Sequence, residues 1–527
     1  MSSEPLYLRP NVRIEGLVNR FVAWTHVYAP VTGAMTTANL LLPIMDSFVQ
    51  HPEVHEAAVA NPKMKGGFFI AAPSSRVDEV ADLRDSVVRD DKVALAFAEA
   101  VTLAEEMLRA RATGFDLSPL YALLPPELRG VTELVYDTDH HATLRFLEPL
   151  LYRSEVHRRE RESVDLSLDD GTSPPFILST PRLPAPGHLQ LPLQLDHPGI
   201  DDLFSLRSRA RPLAEVAAAL EIGDGRQEEL LRSLLTPDRS PVADRDAEGG
   251  RIRYFGHACL LLQAPGASVL VDPFISSDTA AGDRFTYEDL PDTIDLVLIT
   301  HAHQDHVVLE TLLQLRHRVG TVVVPRNGGG QRQDPSLRLF LEAAGMRVRE
   351  VDDLDEITFP GGSVVAAPFF GEHCDLDIRA KSSYWVRIAG RNVFVGADTS
   401  GLESELYAQI RRTLGRADMA FIGMECDGAP LSWLYSSLFT QPVPRKMAIT
   451  RKLSGSNAAQ ASAVVAELGA PEAYVYAMGQ EDWLQHVMAT SYTPASYQLL
   501  QVKEFLSTCA DRGVHAEHLL VREELRW

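Results

Sequence analysis

IDLVLITHAHQDH, residues Ile294–His306, reads as a strand that ends in metal ligands. The apolar run Leu296–Ile299 has the length and β-branched content of a buried strand. Past it, His301, His303, Asp305 and His306 fall within six residues. Each costs desolvation unless something satisfies it, and an ordinary polar loop does not gather ligand-grade side chains at this density. His301 and His303, two apart, can point towards one metal ion. Asp305 and His306, further round the loop, can reach a second ion beside the first.

The flanking sequence predicts how this strand is housed. RIRYFGHACLLLQ from Arg251 and SVLVDPF from Ser268 predict a hairpin leading into it. After it come a helix at Val307–Arg318, a strand at Thr321–Val324 and a helix at Ser336–Ala344. Strands follow at Ser363–Ala367, Ser383–Ile388 and Asn392–Gly396, and a long helix at Ser496–Arg512. This order predicts an α/β chain whose C-terminal part is an αββα sandwich, two sheets flanked by helices.

Upstream, the polar, turn-forming stretch TPDRSPVADRDAEGG (Thr236–Gly250) marks a boundary, giving domains 1–245 and 246–527. The first reads as mixed α+β. Extended runs such as RFVAWTHVYA lie in Leu6–Ala29, and an amphipathic helix covers Ala94–Leu108. The charge run Arg153–Glu162 reads as a solvated helix face. Pro174 and six further prolines in Gly171–Pro198 exclude a long helix there. Short helices follow at Leu213–Leu220 and Gln227–Leu235.

Composition narrows the function. The 527 residues carry 50 basic and 72 acidic side chains, a net charge of -22, which argues against nucleic acid as a partner. No apolar run is long enough to span a bilayer, and the start has no signal-peptide core, so a cytoplasmic protein with no membrane partner is expected. Four cysteines without CxxC spacing fit a reduced compartment.

Two signals downstream extend the histidine loop. Gly396-Ala397-Asp398 closes a strand and leaves Asp398 at its end, a carboxylate placed as a candidate metal ligand. Gly371-Glu372-His373 follows another strand, and only one of Glu372 and His373 is expected to face inward. With Glu372 the shell has three imidazoles and three carboxylates, an oxygen-rich set that suits iron better than zinc. A zinc hydrolase would want a late histidine, for which His486, His515 and His518 are the candidates. His257 and Asp272 read as supports for ligands. Asp137, Asp139, His140 and His141 read as surface groups, and Cys374 and Cys426 as small pocket-lining residues.

The spacing His-x-His-x-Asp-His resembles the metallo-β-lactamase superfamily signature. Together with YLRPNVRIEGLVNRFVAWTHVY, FFGEHCDLDIRAKSSYW, VFVGADTSG and MGQEDW, the whole chain resembles the diiron β-hydroxylases of amino acids tethered to nonribosomal peptide synthetases. The resemblance implies His301, His303 and Glu372 on one iron, Asp305 and His306 on the other, and Asp398 between them. It adds Glu425, in MECDG, as a further carboxylate of the catalytic group. It implies an oxo- or hydroxo-bridged pair of iron ions, O2 as cosubstrate and a homodimer formed through the N-terminal domain. The partner it implies is a carrier domain bearing an aminoacyl-phosphopantetheine in antibiotic or secondary-metabolite biosynthesis. An aromatic amino acid such as p-aminophenylalanine is the expected substrate. An external reductase is also required, because no flavin or nicotinamide fingerprint is present. Arg445, Lys446, Arg451 and Lys452 are either solvated charge or a docking patch for an acidic carrier. Two rival readings remain: a dizinc hydrolase of a thioester, amide or phosphoester, and a carrier-binding scaffold with a vestigial metal site.

Overall fold

The strand at the head of the histidine loop is Ile294–Leu298, running parallel to both its neighbours, Ala267–Val271 and Val319–Pro325. Covered on both faces, it reads as an unbroken apolar run rather than an alternating one. The computed structural model describes residues 4–172, 175–240, 247–279, 282–488 and 491–527, without the side chains of residues 485 and 486.

Two seven-stranded sheets stack in the C-terminal part. The first runs, in spatial order, Val348–Val351, Val319–Pro325, Ile294–Leu298, Ala267–Val271, Leu260–Ala264, Arg251–Tyr254, Glu523–Arg526. The second runs Glu356–Phe359, Gly362–Ala367, Ser383–Ile388, Arg391–Val395, Met419–Gly423, Glu472–Tyr476, His515–His518. Leu260, Val269 and Leu298 from one sheet meet Val364, Val386 and Phe421 from the other in a dry core. Helices Leu309–Leu315 and Leu337–Ala343 cover the outer face of the first sheet. Glu405–Leu414, Ala458–Leu468 and Tyr497–Asp511 cover that of the second. The architecture is the predicted αββα sandwich. Its functional loops follow strand ends: His301 after Ile294–Leu298, Glu372 after Gly362–Ala367, Asp398 after Arg391–Val395, and Glu425 after Met419–Gly423.

The N-terminal part builds a four-stranded sheet ordered Phe21–Val22, Val12–Val18, Glu162–Leu168, Leu189–Leu191, with helices that include Leu42–Gln50, Val77–Asp90 and Lys92–Arg111. It shares its cores with the sandwich. Val12, Leu166 and Leu195 pack with Leu309, Leu312 and Phe340, and Trp24, Met35 and Val101 pack with Leu431 and Tyr435. A π-helical turn, Thr37–Leu41, presents Asn39, whose amide donates to the Ser437 carbonyl at 2.8 Å. Such turns re-aim side chains in the middle of a helix.

Two expectations are corrected. RFVAWTHVYA is extended only to Val22, and Thr25–Tyr28 is a buried helical turn. Trp24, Val27, Tyr28 and Val31 follow the helical spacing and are all buried, so the 3.6 period prevails over alternation. Arg153–Glu162 is not a solvated helix face. It is a set of turns with one short 3-10 segment, Arg159–Arg161. Arg159 meets Glu162 and Asp196, and Arg161 meets Asp90 and Asp91, so acids from other elements draw the charge run inward.

The remaining elements lie within a few residues of their predicted bounds, save that Leu235 opens a short strand, Leu235–Thr236, instead of ending a helix. Pro174 and residues 241–246 of the boundary stretch lie outside the described residues. Among the described residues no helix is long and apolar enough to cross a membrane.

Candidate metal centre

Each imidazole of the loop has one nitrogen held from outside and the other turned to a common centre. His301 Nδ1 lies 3.0 Å from the Thr300 hydroxyl, which itself donates to Asp272 Oδ2 at 2.6 Å. His306 Nδ1 lies 2.8 Å from the same Asp272 oxygen. His303 Nε2 lies 3.1 Å from the Tyr435 hydroxyl. Protonating the outer nitrogens satisfies these bonds and leaves lone pairs on His301 Nε2, His306 Nε2 and His303 Nδ1. Two of these, His301 Nε2 and His303 Nδ1, stand 3.0 Å apart. A shared cation relieves that opposition.

The carboxylates complete the arrangement. Asp398 Oδ2 sits between two rings, 3.1 Å from His306 Nε2 and 3.7 Å from His301 Nε2. Asp305 Oδ2 lies 3.7 Å from His306 Nε2 and 3.1 Å from His257 Nε2. Glu372 Oε1 lies 3.3 Å from His303 Nδ1. Asp398 Oδ1 and His306 Nε2 are buried without a hydrogen bond among the described residues, which is costly for a polar atom unless a cation takes it. Burial, then the charges of Asp398, Glu425 and Asp305, push the Glu372 carboxyl well above the usual range. Burial and the neighbouring imidazoles pull His301 well below its ordinary value, and burial brings His303 down to about 4. His301 and His303 held neutral, His306 once a cation displaces its proton, and the crowded carboxylates are the donor set that two dications require, so the residues present fit a dinuclear centre.

Glu372 reaches the centre through an unusual backbone. Gly371, Glu372, His373, Cys374 and Asp375 all have positive φ, between 52° and 79°. At Gly371 a Cβ would fall 2.5 Å from Ser400 Cβ, so glycine is required there. Cys374, at φ 56° and ψ 39°, holds the left-handed conformation, and Glu372, at φ 52° and ψ -170°, a region that glycine alone adopts readily. Each costs an L-residue roughly 1–3 kcal/mol. The turn breaks the alternation of a strand, so Glu372 and His373 are both buried, contrary to the expectation that only one faces inward. Glu372 presents its carboxylate. His373 packs its ring 4.5 Å from that of His303, and neither of its nitrogens finds a hydrogen-bond partner among the described residues.

His303, Asp305, Glu372 and Asp398 floor a cavity of about 350 Å3 walled by Trp433, Leu434, Pro430 and Leu453. Glu425 lines it too, accepting hydrogen bonds from Tyr492 at 3.3 Å and Gln498 at 3.1 Å, and burial pushes its carboxyl up to about 7. The N-terminal part reaches the same place. Gly66 lines the cavity, and Thr25 donates to the Ala302 carbonyl at 3.4 Å.

Asp272 contacts His306 as a support would, whereas His257 contacts Asp305 and also stands close enough to Asp305 and His306 to share a cation with them. Asp137, Asp139, His140 and His141 form an exposed hairpin turn. Burial pushes the Cys374 and Cys426 thiols up to about 12 and about 11, far from nucleophilic use. Neither lines the cavity, a correction. The left-handed turn sends Cys374 into the core beside Leu431 and Tyr435. His515 is exposed and faces Glu517, and neither it nor His518 joins the centre, because their strand forms the far edge of the second sheet. The His486 side chain lies outside the described residues. Tyr435, Tyr492 and Gln498 were missed in the sequence. No spacing links them to the histidine loop, and only the fold brings them there.

Residues 7–238 match the family described as the diiron non-heme beta-hydroxylase N-terminal domain, and residues 251–395 match the beta-lactamase superfamily domain. The chain is 36% identical over 529 residues to the 4-amino-L-phenylalanyl-[CmlP-peptidyl-carrier-protein] 3-hydroxylase of Streptomyces venezuelae, covering 98% of this chain and 99% of that one. The crystal structure of CmlA, a diiron beta-hydroxylase from Streptomyces venezuelae, covers 100% of both chains with a TM-score of 0.92 at 34% identity. By contrast, a metal-dependent hydrolase of Ligilactobacillus salivarius is 26% identical over 179 residues, covering 33% of this chain and 71% of that one. The hydrolase reading is therefore the less supported, since that relative matches only a third of the chain. Matched in its N-terminal half and related to a hydroxylase from end to end, the chain belongs to the diiron non-haem β-hydroxylases, whose dinuclear iron centre uses O2.

Proposed function

We propose that this chain hydroxylates the β-carbon of an aromatic aminoacyl group held as a thioester on the phosphopantetheine arm of a nonribosomal peptide synthetase carrier domain. The observation that carries the reading is the convergence of three imidazoles and three carboxylates, of which His303, Asp305, Glu372 and Asp398 line a cavity large enough for one aromatic side chain. His301, His303 and Glu372 are assigned to one iron, Asp305 and His306 to the other, with Asp398 between them. When bound, the two irons supply O2 activation: one oxygen atom enters the C–H bond, the other leaves as water, and an external reductase provides two electrons.

The protein's own groups do the rest. Trp433, Leu434 and Leu453 exclude water and fix the substrate ring, so that the β C–H bond faces the floor. Glu425 and Gln498 offer polar contacts on the cavity wall for the aminoacyl nitrogen. Asp272, Thr300 and Tyr435 hold the imidazole tautomers.

Residues 1–245 are assigned to dimerisation and carrier docking, and 246–527 to catalysis. What supports the division is that the two family matches, 7–238 and 251–395, flank it. The exposed helix Arg445–Thr450, with Arg445 and Lys446, stands next to the wall residue Leu453 and suits an acidic carrier.

Iron analysis and a turnover assay test the reading. The purified chain, loaded with iron, is given reductant, isotopically labelled O2 and a 4-aminophenylalanyl carrier. Product carrying one labelled oxygen at the β-carbon is expected. Two zinc ions per chain with water-dependent cleavage of the thioester would overturn it.

A further inference from the structure

The left-handed turn Gly371–Asp375 is tied at both ends by a cation. Lys381 Nζ donates to the Gly371 carbonyl at 2.9 Å, and Arg451 Nε donates to the Cys374 carbonyl at 2.7 Å. Glu372 lies between the two tethered peptides. Neither cation forms a salt bridge among the described residues; the hydrogen bonds of both go to carbonyls, and Lys381 adds a charge interaction at longer range with the Glu372 carboxylate.

The ties lead to different walls. Lys381 pairs with His301 in an isolated bridge, and the Ser382 N–H donates to the Thr300 carbonyl at 2.7 Å, which joins one tie to the metal loop. Arg451 follows the helix Arg445–Thr450. Its carbonyl accepts from the Leu431 N–H at 2.8 Å, and the Leu453 N–H donates to Ala429 at 2.9 Å, which joins the other tie to the cavity wall. Non-glycine residues with φ near 55° relax towards right-handed backbone when released, and that rotation would swing the Glu372 carboxylate off His303.

We propose that Arg451 and Lys381 are positioning residues whose hydrogen bonds to the Cys374 and Gly371 carbonyls hold this turn in the conformation that presents Glu372 to the metal centre. The proposal rests on the assignment of Glu372 as a ligand.

Cobalt(II) added to the metal-free full-length chain reads the effect whichever metal serves the reaction, so the outcome does not depend on hydroxylation. Arg451→Met and Lys381→Met keep chain length and remove the donor. Each is expected to weaken one of two cobalt ions about 10- to 100-fold and to shift its visible ligand-field bands, with the unfolding midpoint of the metal-free chain unmoved. Arg451→Lys, which keeps a donor, is expected to restore the bands. Glu372→Gln should give the same weakening, and Arg451→Met on top of it should add nothing. If Arg451→Met fails to fold, Lys381→Met decides alone. Native titrations and bands in the methionine variants would overturn the proposal. So would equal loss at both cobalt sites with a lowered midpoint, which marks a merely structural role. A native chain that takes fewer than two cobalt ions would overturn the dinuclear assignment itself, a result distinct from unperturbed variants.

Discussion

Asp272 Oδ2 lies 2.8 Å from His306 Nδ1, with both side chains fully buried. The same carboxylate accepts the Thr300 N–H at 2.8 Å and its hydroxyl at 2.6 Å, so its position is determined before any metal arrives. Burial works against charge on His306, yet Asp398, Asp305 and Asp272 hold its pKa well above the ordinary value. Loading the centre therefore expels a proton from this ring, and metal affinity should fall as pH falls. Asp272→Asn keeps the shape but confuses the tautomer. Metal affinity should drop about 10- to 100-fold, read by iron titration of the metal-free chain. Native affinity in the variant would remove Asp272 from the support of the site.

Glu372 is surrounded by acidic groups, and burial with the charges of Asp398, Glu425 and Asp305 makes its ionised form depend on cations. Glu372→Ala removes a carboxylate that the second positive charge needs. The expected outcome is less than a full iron complement and hydroxylation lost or uncoupled from O2 consumption. Product per O2 consumed is the measurement, and an unchanged ratio at an unchanged rate excludes Glu372 from the chemistry.

Tyr435 reaches His303 Nε2 at 3.1 Å from a helix 132 positions away in the chain. Tyr435→Phe leaves that buried N–H without an acceptor, at a cost of about 1–3 kcal/mol. Weaker iron binding with little change in fold should follow, detectable as a lower iron content after dialysis while the circular dichroism spectrum holds.

The histidine loop, Asp398 and the strand order were legible because strand ends and ligand spacing are local in sequence. Asp272 and His257 were legible as neighbours of the ligands for the same reason, each following a predicted strand. Tyr435, Tyr492, Gln498, Lys381 and Arg451 were not. Each meets the centre through contacts that no ligand spacing announces, and a lone tyrosine, lysine or arginine carries no periodic signal. The burial of both Glu372 and His373 was hidden too, since alternation predicts opposite faces and the left-handed turn cancels it. The charge run Arg153–Glu162 misled because its acidic partners Asp90, Asp91 and Asp196 lie in other elements.

The shared cores set a limit on dissection. Leu309, Leu312 and Phe340 of the sandwich pack with Val12, Leu166 and Leu195 of the N-terminal part. Residues 246–527 expressed alone would expose that face. The fragment is expected to aggregate or to lack a cooperative unfolding transition and carrier-dependent activity. A soluble fragment that unfolds cooperatively would show the sandwich to be self-sufficient.

Glu148 offers a pH-dependent test of how the two parts are joined. Its carboxylate accepts from Asn327 at 2.7 Å and from the Ser336 N–H at 2.9 Å, both in the sandwich. Burial outweighs these bonds and raises its pKa from 4.5 to about 7. The folded state therefore holds the proton where the unfolded chain has already lost it, and stability falls as pH rises from 4.5 to about 7. The loss is on the order of 3 kcal/mol and is complete above that window. Glu148→Gln cannot ionise, so it should gain on the native chain across the window, and the difference in their unfolding midpoints should level off above pH 7. Parallel midpoint curves between pH 4.5 and 8 would mean that Glu148 is ionised throughout, with its two donors outweighing its burial.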